Sequence, residues 1–318
     1  MTTPTLLDQL ADAVAAYRVG PTDAAIAQWQ AGITTARADG ADWLLTEFDL
    51  GDDLGFLLMD LEARLDRAAA NRVLNRYLAR TGNWGLVRGL KPILSNRAMV
   101  RADVEQRSGH PDRAAAVRAA ADHASARARA DASLAPGPAI VIGIGGLPGT
   151  GKSTLARAIA PTLGPAPGAV IVRSDEIRKR QHGAAPEQKL PSAAYRKAAS
   201  RAVIAELAAA VRSLADAGQA VIADATFMAP ADRAMLAAAA GSHRFLGIWL
   251  HAPLTLLKAR IAARVNDASD ADVAVLRRAA QSRPEAGTWL AVDATDGASA
   301  CSAVVAALRD ADVLDTGR

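Results

Sequence analysis

The chain has 318 residues, enough for two domains of roughly 150 residues each. Its 51% hydrophobic and 22% charged residues exclude wholesale disorder, and no run reaches the ~18 uncharged apolar residues of a membrane span. Thirty-seven Lys and Arg against 33 Asp and Glu leave a net charge of +4, too thin and too scattered for a dedicated nucleic-acid or membrane surface. Cys301 is the only cysteine, which rules out an internal disulfide and a Cys-based zinc site. Asp8 and Asp12 stand where a signal peptide would carry a basic start and an apolar run, so the expected location is cytoplasmic.

The first 132 residues predict an all-helical domain. Thr5 with Asp8 forms a capping box for a helix through Tyr17, and a second helix is predicted over Thr22–Arg37. Leu54, Leu57, Leu58, Leu61 and Leu65 recur at helical spacing. Val73, Leu74, Tyr77 and Leu78 predict a further helix that stops at Gly82, and Pro92 marks a start or kink within Leu86–Val104. The small residues and Pro-Gly-Pro end of the stretch Ala124–Pro138 predict a linker, placed at 133–138.

From residue 139 to 318 the texture changes. Short apolar runs at Ala139–Ile144, Ala169–Val172, Ala220–Ala223, Phe245–Leu250 and Thr288–Val292 alternate with helical patterns. That alternation predicts an α/β domain with a five-stranded parallel sheet between helices.

Residues 146–153 complete the pattern G-x-x-x-x-G-K-[ST] between the first apolar run and a helical pattern. Glycines there let backbone N–H groups converge on phosphate at a helix N-terminus. Gly146, Leu147, Pro148, Gly149, Thr150, Gly151, Lys152, Ser153 and Thr154 are thus the expected ATP-binding residues. Lys152 would reach the β- and γ-phosphates, and the Ser153 hydroxyl would ligate Mg²⁺. About 165 residues follow Lys152, too few for a full AAA+ module with its lid domain, and no guanine-specifying element is present; a nucleoside-kinase-like fold suits the length best.

Asp175 follows the second apolar run and is expected at the carboxyl end of a strand, where open α/β sheets bind ligands. Ser174 is expected to cap the next helix, and Arg178 to lie one turn beyond Asp175 on its face. A carboxylate there can take a substrate hydroxyl proton while Arg178 steadies an anion or the transferring phosphoryl group. Asp224 follows the third apolar run in the Walker-B position, suited to metal or to substrate. Arg260 and Arg264 share a helical face ahead of the acidic stretch Asn266–Asp272, a pattern that suits a lid closing on phosphates.

These motifs carry a resemblance. GLPGTGKST, SDEIRK, the apolar run into DATF, and KARIAAR with DASDAD make the span from Val141 to about Val292 similar to the P-loop kinase group of zeta-toxin-like and polynucleotide-5′-kinase-like domains. The resemblance implies that Asp175 accepts the hydroxyl proton, that Lys152 and Ser153 serve phosphate and Mg²⁺, and that Arg260 or Arg264 is the lid arginine. TEFDLGDDLGFLLMDLEAR, NRVLNRYLARTG and RAMVRADVE resemble the helical C-lobe of an aminoglycoside-phosphotransferase-like domain, as in bacterial two-domain proteins that pair such a lobe with an ATP-binding kinase domain. No H-G-D catalytic loop precedes Glu47, so that lobe is expected to be a remnant and Asp49 a structural residue.

The expectation is therefore an ATP- and Mg²⁺-dependent phosphotransferase acting on a hydroxyl of a small-molecule acceptor, with neither a nucleic-acid nor a membrane partner. Its competitors are a non-catalytic ATP sensor and a nucleic-acid 5′-hydroxyl kinase that binds through Arg178, Lys179 and Arg180. The stretch His182–Pro191 is expected to choose the acceptor. Oligomeric state leaves no mark in the sequence.

Overall fold

A computed structural model describes residues 53–87, 139–185, 188–264, 268–282 and 284–311, which fall in two compact units. The expected helices Thr5–Tyr17 and Thr22–Arg37, Asp49, the linker and most of Leu86–Val104 lie outside the described residues.

The first unit shows two packed helices, α1 (Asp53–Arg64) and α2 (Arg67–Thr81). Leu54, Leu57, Leu58 and Leu61 form a buried face, joined by Val73, Leu74, Tyr77 and Leu78. Asp66 caps α2 by accepting the Ala69 N–H at 2.7 Å, and Gly82 ends it at φ 64° with its N–H on the Leu78 carbonyl. Leu65 departs from the predicted stripe. It lies past the end of α1 and is 57% exposed.

The second unit is a five-stranded, all-parallel sheet in the order β2-β3-β1-β4-β5. Its strands are β1 (Ile140–Gly146), β2 (Val170–Arg173), β3 (Val221–Asp224), β4 (Arg244–His251) and β5 (Leu290–Asp293). The helices between and after them are α3 (Lys152–Ile159), α4 (Ser174–Gln181), α5 (Lys197–Asp216), α6 (Pro230–Ala240), α7 (Leu254–Ala262), α8 (Val273–Gln281) and α9 (Gly297–Asp310). This is the predicted α/β architecture, with each strand within two residues of its expected bounds.

Alternation along the strands sorts the core into two faces. Ile140, Ile142 and Ile144 of β1, with Ile248 and Leu250 of β4, pack against Leu155 and Ile159 of α3 and Val304 and Leu308 of α9. The opposite face carries Gly143, Gly145 and Gly247, and the Trp289 indole fills the space they leave beside Leu236 of α6. A Cβ at Gly143 would come within 2.7 Å of Leu236 Cδ2 and 2.9 Å of the indole, and one at Gly247 would overlap the ring. The same packing explains why β1 runs two residues past its predicted end. Gly145 and Gly146 pair with Trp249 and Leu250 of β4 instead of opening the loop.

Register then positions the chemistry. Ile144 pairs with Asp224 and Arg173 pairs with Asp224, so β1, β2 and β3 end side by side. Ligands bind beyond such carboxyl ends in open parallel sheets.

Candidate active site

The phosphate loop runs from Gly146 into α3. Gly146 sits at φ 134°, and a Cβ there would collide with the Leu250 carbonyl, so only glycine lets the loop lie this close to β4. Gly151, at φ 91°, precedes the first turn of α3, has no side-chain cap, and would point a Cβ into open space. The first N–H groups of α3 are therefore unclaimed by the helix and meet the cleft. Pro148, Gly149, Thr150, Gly151, Lys152, Ser153 and Thr154 line that cleft. Gly146 and Leu147 lie beneath it, with Leu147 packed on Leu257 and Ile261 and both carbonyls accepting from Lys152 Nζ at 3.0 and 2.9 Å. Thr150 is 2% exposed and pins the loop by donating its hydroxyl to the Leu147 carbonyl at 2.8 Å.

A chain of contacts crosses the three strand ends. Ser153 Oγ donates to Asp224 Oδ2 at 2.5 Å, and Arg173 Nε donates to the same oxygen at 3.2 Å. Arg173 Nη1 continues to Glu176 at 2.8 Å. Burial pushes the Glu176 carboxyl above the usual carboxylate range, with Arg173 opposing. Burial likewise lowers the Lys152 ammonium, while Asp224 and Asp175 pull it back up. Asp224 does not cap α6, whose N-terminus is preceded by Ala229 without a side-chain cap.

Asp175 lines the same cleft from the first turn of α4. Burial raises its pKa, Arg173 lowers it, Asp224 raises it, and a hydrogen bond from Ser269 lowers it again. Desolvation dominates, so this carboxylate binds a proton more readily than an ordinary aspartate. Ser174 is not the expected cap. It is the first helical residue, Arg173 occupies the cap position, and no side-chain bond closes the end.

Arg178 also faces the cleft but is 7% exposed, donates Nη1 to the Ala194 carbonyl at 2.6 Å and lies 4.7 Å from the Tyr195 ring centre. Arg260 lines the cleft too, with Nη1 and Nη2 on the Ala294 and Thr295 carbonyls at 2.9 and 3.0 Å. Arg264 lines the same cleft as Arg260, from just past the end of its helix. α7 ends at Ala262, and the Arg264 N–H closes the last turn on the Ile261 carbonyl at 3.3 Å.

Sequence reasoning missed two groups. Arg173 bridges Asp224 and Glu176, and its only signal was a cation closing an apolar strand. The other is a knot around Asp270. Its Oδ1 accepts from Lys179 Nζ at 2.6 Å, and its Oδ2 accepts from Leu190 N–H at 2.9 Å and Tyr195 O–H at 2.5 Å. Burial raises the Asp270 pKa, but the donors of Lys179, Tyr195 and Leu190 outweigh it and hold the carboxyl low. Lys179 is 1% exposed and also donates to the Gln188 carbonyl, while Arg180 pairs with Glu206 at 2.8 Å. The Arg178-Lys179-Arg180 run therefore has each cation engaged inside the fold.

The cleft encloses 1730 Å³. A single drug-sized ligand takes about 300–1,000 Å³, so there is room for a nucleotide and a second molecule. Nine Lys and Arg side chains line it against five Asp. Among the described residues no three His, Cys, Asp or Glu converge as a metal cage. Ser153 and Asp224 nevertheless fit Mg²⁺, which is commonly held by one or two protein oxygens with nucleotide phosphates and water completing its shell. No described helix is long and apolar enough to cross a membrane.

Residues 141–286 match a family model described as an AAA domain. Uncharacterized proteins of Mycobacterium tuberculosis and Mycobacterium bovis are each 32% identical over 236 residues, covering 71% of this chain and 45% of theirs. The chain thus spans under half the length of these curated relatives. Among solved structures, a gluconokinase from Sinorhizobium meliloti 1021 superposes with a TM-score of 0.40 at 18% identity, over 55% of this chain and 94% of that one. An unliganded sugar kinase from Janibacter sp. HTCC2649 gives 0.42 at 19% identity, over 55% and 96%.

Proposed function

We propose that the second unit is a kinase that moves the γ-phosphoryl group of ATP to a hydroxyl of a small acceptor. One observation carries the reading: Asp175, a carboxylate with a raised pKa, shares a two-ligand cleft with a phosphate loop. A purely nucleotide-holding loop has no need of that group, whereas hydroxyl phosphorylation needs a proton acceptor. The S-D-x-x-R spacing at Ser174, Asp175 and Arg178 supports placing the chain with zeta-toxin-like and polynucleotide-kinase-like domains.

In this reading the acceptor oxygen bonds to the γ-phosphorus as the bond to the β–γ bridging oxygen breaks. ADP leaves, and the hydroxyl proton passes to Asp175. Lys152 turns its ammonium from the loop carbonyls to the β- and γ-oxygens, and the α3 N–H groups hold the remaining phosphate charge. Ser153 and Asp224 would hold Mg²⁺, which would neutralise charge on the phosphates. Arg264 serves as the lid arginine on the transferring group, while Arg260, tied to two carbonyls, fixes α7 against the loop after β5.

Mg²⁺-dependent ADP release across hydroxyl acceptors tests this. Asp175→Asn is expected to lower kcat by about 10²–10⁴-fold with ATP affinity unchanged. Transfer needs the ionised carboxylate, whose pKa lies above the ordinary ~4 of aspartate. The wild-type rate therefore falls as pH drops through that raised value, and Asp175→Asn lacks this acid limb. ATP binding with no acceptor-stimulated ADP release, unchanged by Asp175→Asn, overturns the kinase and favours a nucleotide sensor.

A further inference from the structure

We infer that Ser269 is a positioning residue for phosphoryl transfer: its hydroxyl holds the Asp175 carboxylate in one orientation, and Asp270 beside it clamps Ser269 to the helix that carries Asp175. The inference rests on the kinase reading and adds a residue to it.

Two consecutive residues between α7 and α8 meet two residues one turn apart on α4. Ser269 donates its hydroxyl to Asp175, and Asp270 accepts from Lys179 Nζ at 2.6 Å. Asp175 and Lys179 stand four residues apart on α4 and so share a face. The pair at 269 and 270 therefore grips that helix at two points, and one of them is the proton acceptor. Neighbouring contacts keep the pair from drifting. Ala268 is buried, Asp270 Oδ2 also holds the Leu190 N–H and the Tyr195 O–H, and Asp272 caps α8 by accepting the Val275 N–H at 2.8 Å. Ser269 itself is half-buried and lines the cleft with Asp175. With anchors on both sides of it, the segment does not need the Ser269 hydroxyl to hold its course.

The carboxylate does need it. Rotation about the last bond of an aspartate side chain is broad instead of confined to sharp staggered wells. Arg173, Asp224 and Lys152 act on Asp175 through charge, which sets no orientation, whereas Ser269 reaches it with a directional hydrogen bond. That bond fixes the plane of the carboxylate and leaves its remaining lone pairs to the acceptor hydroxyl. A proton acceptor works within about 2.6–3.2 Å of the atom that gives up the proton. A carboxylate free to turn would thus lose rate without loosening either substrate.

ADP release from labelled ATP with Mg²⁺ tests it, with water, glucose, kanamycin, UDP-N-acetylglucosamine and a 5′-hydroxyl oligonucleotide as acceptors, the variants being compared on the fastest of these. Ser269→Ala is expected to lower kcat by roughly tenfold to a hundredfold, the worth of a hydrogen bond to a charged group. ATP affinity, the KM of the acceptor and the melting temperature should stay at wild-type values. Ser269→Thr keeps a hydroxyl and should restore most of the rate. In an Asp175→Asn background the Ser269→Ala change should cost nothing further, because it acts through that carboxylate. Asp270→Asn releases the other grip on α4 and should lower kcat as well, with little added by Ser269→Ala on top. Wild-type kcat in Ser269→Ala or in Asp270→Asn, a Thr variant no faster than Ala, a loss seen only in KM, or an undiminished loss in the Asp175→Asn background overturns the inference and leaves the kinase standing. ADP release that no acceptor raises and Asp175→Asn does not change refutes the kinase, and the positioning role falls with it.

Discussion

The two ends of the cleft are built by different means. At the phosphate end, one contiguous stretch supplies nearly everything, and the working parts are backbone N–H groups and one lysine at fixed spacing. At the end proposed for the acceptor, side chains far apart in sequence are brought together, and the Asp270–Lys179 contact spans 91 residues. A backbone-built site tolerates variation in side chains but none in conformation; a side-chain-built site is the reverse.

Three substitutions break or sharpen this contrast. Lys152→Ala removes the one side chain on which the phosphate end depends. It should cost about 10³-fold in turnover, near 4 kcal/mol of transition-state stabilisation, while leaving the melting temperature close to wild type. A loss under tenfold would show that the backbone alone suffices. Asp270→Ala strikes the side-chain knot and strands a buried ammonium. Removing one partner of a buried pair costs about 3 kcal/mol, read as a lowered urea midpoint, with KM for the acceptor rising while ATP affinity holds. An unchanged midpoint would mean that Lys179 is satisfied by Gln188 alone. Gly247→Ala tests the scaffold both ends share by pushing a methyl into Trp289. Overpacking of this kind costs about 2 kcal/mol and should lower the melting temperature without moving the acid limb of the rate profile.

What could be read from the residues follows the same divide. The loop around Lys152, the five strands and Asp224 at a strand end were legible because each is a local pattern of spacing or periodicity. Asp270 was not, since Asp267, Asp270 and Asp272 look alike in a short acidic stretch and only the fold selects one to meet Lys179. Lys179 itself read only as one of three adjacent cations, with Arg178 and Arg180, that a nucleic-acid kinase would use. Its burial follows from the approach of the 188–195 segment, which local propensity does not encode. That Arg264 falls two residues past α7 was not legible either, because the end of α7 carries neither glycine nor proline to announce it.

Trp289 has an optical consequence. It stacks edge-on against Phe227 at 5.2 Å, and Phe227, fully buried at φ 45°, directly follows the cleft-lining Asp224-Ala-Thr226 segment. Arg233 lies 6.0 Å from the same indole and 5.3 Å from that of Trp249. A buried indole packed over the glycines of β1 and β4 emits according to the polarity and motion of that wall. Any ligand that shifts the wall would therefore announce itself in the protein's own fluorescence, without a label and whether or not phosphate moves.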